Sequence, residues 1–164
     1  MEHEGKVALV VGASMGIGQA ICRILADQGC DIACAARSTA KLETTAAQVR
    51  ERGRKALAIP CDVRDAGAIK EMVATTLAQL GKIDILVYAA GGPLAGVKYE
   101  APKSHDDFFP MMMSYAIGTI EPSDWEAIFD INFYGGKRCI EAVLPHMKER
   151  DSGHIVLVTS KAAL

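Results

Sequence analysis

The chain has 164 residues, half of them apolar, with 18 basic and 20 acidic residues for a net charge of −2. That length suits one domain with a real core, and the scattered, near-neutral charge excludes a charged disordered tail and offers no handle for nucleic acid or an anionic membrane surface. No apolar run is long enough to span a bilayer, and the polar start from Met1 to Gly5 does not read as a signal peptide.

Lys6 to Val11 is a short valine-rich run, the pattern of a strand buried on both faces. After GASMGIG, the residues Ile17, Ala20, Ile21, Ile24 and Leu25 recur at helical spacing until Gly29 can end the helix. Strands are predicted again at Asp31 to Ala36, Ala56 to Cys61 and Ile83 to Ala89. Helices are predicted between them, at Ser38 to Arg52 and Asp65 to Leu80, closed by Gly53 and Gly81. The alternation implies βαβ units and a parallel sheet with helices on both faces.

Residues 92–121 break the rhythm with prolines, glycines, the cluster His105, Asp106 and Asp107, and the apolar stretch from Phe108 to Met113. Such long connections are commonly lids or binding loops. Three adjacent residues rarely point at one ion, so the acidic cluster reads as solvated loop and no metal site is expected. Regular structure resumes at Pro122, where Ser123 and Glu126 have the spacing of a capping box. A long helix then runs towards Lys148, bent at Pro145, and a fifth strand is predicted at His154 to Thr159. The five cysteines (Cys22, Cys30, Cys34, Cys61 and Cys139) have neither a CxxC pair nor metal-ligand spacing. They read as small buried residues of a reducing compartment, with the cytoplasm as the default.

Chemistry enters at the turn after the first strand. Gly12, Gly16 and Gly18 are four and then two residues apart. Between a strand and a helix they let the backbone, including that of Ser14, Met15 and Ile17, approach a pyrophosphate at the positive end of the helix. A glycine triplet alone is a weak signal; its place between a buried strand and an amphipathic helix favours a nucleotide site over a plain tight turn. At the end of the second strand, an NAD site normally presents a carboxylate to the ribose. Here Ala36 is followed by Arg37 and Ser38, and a guanidinium binds a 2′-phosphate where a carboxylate would repel it. NADP is therefore expected rather than NAD.

The glycine spacing resembles the TGxxxGIG turn of the short-chain dehydrogenase/reductase family, with Val11 in place of the usual Thr. Other motifs follow in order. Asp62-Val63 is similar to the family's D-V after the third strand, whose Asp contacts the adenine, and Tyr88-Ala89-Ala90-Gly91 stands where NNAG is usual, keeping only the Ala-Gly. Trp125 and Asn132-Phe133-Tyr134-Gly135 are similar to the N-x-x-G segment, and His154 to Ser160 to the strand that delivers the catalytic serine.

The resemblance spans the chain and implies a doubly wound α/β Rossmann fold, truncated after the fifth strand, in a single nucleotide-binding domain over residues 1–164. It implies hydride transfer between NADP(H) and a small carbonyl or alcohol substrate, in an enzyme that forms homo-oligomers and acts without membrane or nucleic acid. Ser160 would steady the substrate oxygen, and Asn132 would anchor a water. A tyrosine would transfer the proton, and a lysine one helical turn later would lower its pKa.

That Tyr-Lys pair belongs beyond Ser160, which only Lys161-Ala162-Ala163-Leu164 follow, so the chain is expected to lack it. The literal YxxxK at Tyr99 and Lys103 precedes Asn132, and Pro102 would disrupt the helix needed to align the two. Tyr134 and Lys137 read as packing and solvent residues. Three readings stay open: the N-terminal portion of an oxidoreductase, a non-catalytic nucleotide-binding protein, or a subunit that needs a partner to cover apolar surface left bare beside the long helix.

Overall fold

The computed structural model describes residues 2–92, 104, 106 and 120–159. Five strands form one parallel sheet: β1 (Val7–Val11), β2 (Asp31–Ala36), β3 (Ala56–Pro60), β4 (Ile85–Tyr88) and β5 (His154–Leu157), in the order β3-β2-β1-β4-β5. The helices are α1 (Gly16–Asp27), α2 (Thr39–Arg50), α3 (Ala66–Leu80), α4 (Pro122–Phe129) and α5 (Gly136–Glu149), with a π-helical segment, Asp130–Gly135, joining the last two.

Alternate residues of each central strand serve opposite faces, as the period of a strand requires. Leu9, Val11, Leu86 and Tyr88 pack with Ile69 and Met72 of α3 and with Cys139 and Val143 of α5. Ala8, Val10, Ile32 and Cys34 pack with Cys22, Ala26, Leu42 and Val49 of α1 and α2. Two cores on one sheet are the doubly wound arrangement that the strand–helix alternation predicts. Helix ends also agree: Gly29, Gly53 and Gly81 follow α1, α2 and α3 in left-handed backbone, and Asp65 caps α3 by accepting from the Gly67 and Ala68 N–H groups.

One expectation needs correction. The capping box does not form, because α4 begins at Pro122, with Glu121 at its N-cap and no side-chain cap bond. Proline's fixed φ and missing N–H suit the first helical position, and this places Ser123 and Glu126 inside the helix. Helix α5 carries Pro145 in its interior, and a departure from α geometry lies upstream in the π segment. The isoleucine stripe of α1 is split: Ile21 and Leu25 pack, partly buried, against the core on that face of the sheet. Gly18, Cys22 and Ala26 are the buried positions, whereas Ile17 and Ile24 are 63% and 58% exposed.

That stripe also borders an open apolar groove of about 440 Å³, lined by Ile21, Ile24 and Leu25 of α1 and by Ile85, Val87 and Val156 of the sheet. All of β5 is exposed, as are Phe129, just before the π segment, and Phe133 and Tyr134 within it. Bare apolar surface near the long helix is thus present among the described residues. No helix among them is long and apolar enough to cross a membrane.

At the opposite edge from the strand C-termini, the 3%-exposed carboxylate of Asp84 accepts from the Val7 N–H at 2.9 Å, Arg150 Nη2 at 2.9 Å and Lys82 Nζ at 3.0 Å. It ties the start of β1 to the end of α5.

Candidate cofactor cleft

Because the strands are parallel, the residues that follow β1, β2, β3 and β4 emerge along one edge of the sheet. These are the glycine turn, Arg37 and Ser38, Asp62 and Val63, and Ala90 and Gly91. The strand order reverses direction between β1 and β4, the switch point where open α/β sheets form a crevice.

The glycines of the turn serve different purposes. Gly12 has φ +90°, and a Cβ there would lie 2.5–2.7 Å from backbone atoms of Ala89 and Ala90. Any side chain would therefore drive β1 and β4 apart. A Cβ on Gly18 would strike the Gly12 carbonyl, so α1 sits against the turn only because position 18 is bare. Gly16 has φ +57° and nothing within 4 Å of its would-be Cβ; it faces open space.

Met15 is the N-cap of α1 without a side-chain cap bond, and the first turn carries no acidic residue. The positive end of the helix is thus left for an outside anion. The turn is braced from behind: the Gly12 and Ala13 N–H groups donate to the Ala35 carbonyl at 2.7 and 3.1 Å. The buried Thr45 hydroxyl donates to the Ala13 carbonyl at 2.9 Å and accepts from Gln19 Nε2. The braces leave Ser14 half-buried and Met15 and Ile17 exposed. This is a rigid cradle with an open front, and it fits a dinucleotide pyrophosphate.

Arg37 and Ser38 are exposed past β2. Asp62 is half-buried and bonded to Arg64, whose guanidinium, with that of Arg37, holds its carboxyl below the usual carboxylate range. Val63 is buried, its carbonyl accepting from Arg138 at 3.3 Å. Ala90 packs against the core and Gly91 has φ +148°. A Cβ on Gly91 would collide with Asn132 Oδ1.

Asn132 lies in the π segment, and its amide is used on both sides. Oδ1 accepts from the Gly92 N–H at 2.9 Å, and Nδ2 donates to the carbonyls of Gly92 at 3.0 Å and Ile128 at 2.9 Å. The side chain latches the helix to the loop after β4, so its bonds go to backbone. Ser160 lies outside the described residues, as do Tyr99, Lys103, His105, Asp107 and the stretch from Phe108 to Met113. Tyr134 is 48% exposed beneath the Arg138 guanidinium, and Lys137 pairs with Glu141, as packing and solvent residues would be.

Sequence reasoning missed Tyr88 as an organiser. Its ring lies against Gly135 and Gly136, and its hydroxyl donates to the Ile131 carbonyl at 2.5 Å. The signal was available in part: a tyrosine stands where the motif usually has asparagine, and two glycines leave room for a ring. Burial pushes its phenol above the usual range, and the hydroxyl is taken up by the Ile131 carbonyl. The Tyr88→Phe variant keeps the ring and strands the Ile131 carbonyl, for an expected loss of about 1–2 kcal/mol in urea unfolding. An unchanged midpoint would remove Tyr88 from this role.

The described cysteines are all free and buried. Burial pushes the Cys30 and Cys61 thiols up to about 11 and Cys139 to about 12. The cysteines are packed in the core as small apolar groups.

Comparison with known proteins agrees with this arrangement. The family model for short chain dehydrogenases matches residues 6–164. The chain is 38% identical over 160 residues to the 2,3-dihydro-2,3-dihydroxybenzoate dehydrogenase of Bacillus subtilis, covering 98% of this chain and 54% of that protein. Among solved structures it is similar to an NAD+-bound xylitol dehydrogenase (TM-score 0.84, 31% identity, 99% of this chain and 56% of that one). It is also similar to a metagenomic short-chain oxidoreductase in complex with NADP (TM-score 0.80, 29% identity, 98% and 64%). The chain thus spans about half the length of the curated relatives it matches.

Proposed function

The chain belongs to the short-chain dehydrogenase family, and from that membership we propose that it is the cofactor-binding portion of an oxidoreductase that passes hydride between NADP(H) and a small carbonyl or alcohol substrate. One observation carries the reading: the cradle of Gly12, Gly16 and Gly18 opens onto an uncapped helix N-terminus, with Arg37 rather than a carboxylate at the end of β2. Backbone N–H groups of Ser14 to Gly18 would hold the pyrophosphate, and Arg37 and Ser38 the 2′-phosphate. Asp62 and Val63 would meet the adenine, and Ala90 and Gly91 would line the floor. The nicotinamide supplies the hydride chemistry; the protein's part is to position it.

Asn132 organises the loop after β4, and Ser160 is proposed to steady the substrate oxygen. Proton transfer is proposed to need a tyrosine–lysine pair that none of the cleft residues named above supplies. The exposed Phe129 and Phe133 support a homo-oligomer built on the α4–α5 face, and the free buried thiols support a reducing compartment such as the cytoplasm.

Titration of the chain with NADPH and NADH, read by nicotinamide fluorescence, tests the reading. NADPH is expected to bind more tightly, and Arg37→Gln to weaken NADPH by about tenfold, as loss of one charge-assisted contact implies. Equal affinity for the two cofactors in the unaltered chain would remove the NADP assignment. Carbonyl reduction by residues 1–164 alone would remove the claim that the proton donor lies elsewhere.

A further inference from the structure

Arg37 and Asp62 follow the C-terminal ends of the neighbouring strands β2 and β3. Ala36 pairs with Pro60 at the ends of β2 and β3, and the Cys61 N–H donates to the Ala36 carbonyl at 2.9 Å. Arg37 follows Ala36 directly, Asp62 follows Cys61, and the Arg37 guanidinium acts on the Asp62 carboxyl. For a site that takes a 2′-phosphate this is a problem: a carboxylate beside Arg37 repels the phosphate that Arg37 attracts.

The carboxylate is not left bare. Arg64 Nε donates to Asp62 Oδ1 at 3.0 Å and Oδ2 at 3.1 Å, Nη2 donates to Oδ2 at 2.6 Å, and the Arg64 N–H donates to Oδ1 at 3.0 Å. An ionised carboxylate offers about four acceptor sites, so Arg64 takes up most of its capacity as well as its charge. The same bonds hold the Asp62 carboxyl below its usual range, with Arg37 adding to the effect. Asp62 therefore stays ionised at neutral pH, and only a cation can neutralise it. Both side chains are partly exposed, at 43% for Arg64 and 32% for Asp62. A pair this exposed contributes little to folding stability, so its arrangement needs another reason.

We propose that Arg64 is a cofactor-specificity residue: by pairing with Asp62 it cancels the negative charge beside Arg37 and lets the ends of β2 and β3 accept the 2′-phosphate of NADPH. This rests on the NADP reading of the site. Asp62 keeps its place for the adenine while its charge is offset from the solvent side. A lysine at position 64 would preserve the charge, though not the two-pronged bond.

Dissociation constants for NADPH and NADH, measured on the full chain and on Arg64→Gln, Arg64→Lys and Asp62→Asn/Arg64→Gln, test the proposal. Arg64→Gln is expected to weaken NADPH more than NADH, shifting their ratio by about threefold to tenfold at low salt and less at high salt. Arg64→Lys should retain most of the original ratio. Adding Asp62→Asn to Arg64→Gln should restore it, because no uncompensated charge remains. Equal weakening of both cofactors by Arg64→Gln would overturn the proposal while leaving the NADP reading intact. So would a double variant whose ratio stays as low as that of the single one. Failure of the unaltered chain to bind NADPH, or to prefer it over NADH, would overturn both.

Discussion

Replacing Gly12 by alanine is expected to raise the dissociation constant for NADPH by at least about 100-fold, equivalent to about 2.7 kcal/mol. Two effects combine. The backbone at φ +90° is strained for any residue with a Cβ, and the new methyl would lie 2.5–2.7 Å from backbone of Ala89 and Ala90. Neither backbone can yield cheaply, since β1 and β4 are hydrogen-bonded through Ala89 to Val11 at 2.8 Å. The turn must shift, and its N–H groups then no longer converge on one phosphate. Stability should fall with binding, by about 2 kcal/mol.

Gly16→Ala separates the two quantities. Its Cβ would meet nothing within 4 Å, so the folding cost is only the strain of a left-handed residue, about 1 kcal/mol. The same methyl would project into the open front of the cradle and weaken NADPH strongly. Fluorescence titration beside thermal unfolding reads both. A Gly12→Ala chain that binds NADPH normally would sink the cradle assignment, and a Gly16→Ala chain that binds normally would place the pyrophosphate elsewhere.

The second large effect concerns stability. Asp84→Ala is expected to cost about 3 kcal/mol at neutral pH, lowering Tm by about 6–12 °C. The carboxylate is 3% exposed, and its loss strands the Val7 N–H while freeing Arg150 and Lys82 from their anion. Burial by itself would disfavour the charge, but the bonds from Arg150, Val7 and Lys82 outweigh it and hold the carboxyl below its usual range. The sign of the pH dependence follows. A group depressed on folding contributes fully above its unfolded value, about 3.9. That contribution fades as pH falls from there towards the folded value. The gap in Tm between Asp84→Ala and the unaltered chain should therefore be widest near neutrality and shrink below about pH 4. A gap that stays constant into acid would mean that packing, not charge, is what Asp84 provides.

Much of the fold was legible because its signals are local. Apolar runs such as Val7 to Val11 mark strands, and the glycines after α1, α2 and α3 mark helix ends; these depend on residues close in the chain. The glycine turn was legible for the same reason. Some local signals misled where two of them competed. Pro122 and Ser123 both suit a helix start, and proline at the first helical position prevailed. On α1, Gly18, Cys22 and Ala26 are the fully buried positions, Ile21 and Leu25 pack partly buried beside them, and Ile17 and Ile24 are left exposed.

The sequence by itself determined the strand–helix alternation, the phosphate-binding turn, the resemblance to a family and the basic residue after β2. Tertiary structure alone decided what those residues touch. It turned Asn132 into a latch on Gly92 and placed the Tyr88 hydroxyl on the Ile131 carbonyl. It also joined Asp84 to Arg150, 66 residues away, and brought the Asp62 carboxyl under the influence of Arg37 as well as Arg64. The physical reason is the same in each case. A strand or turn is selected by neighbours in the chain, whereas a hydrogen bond or ion pair between distant segments exists only after the sheet has brought them within reach.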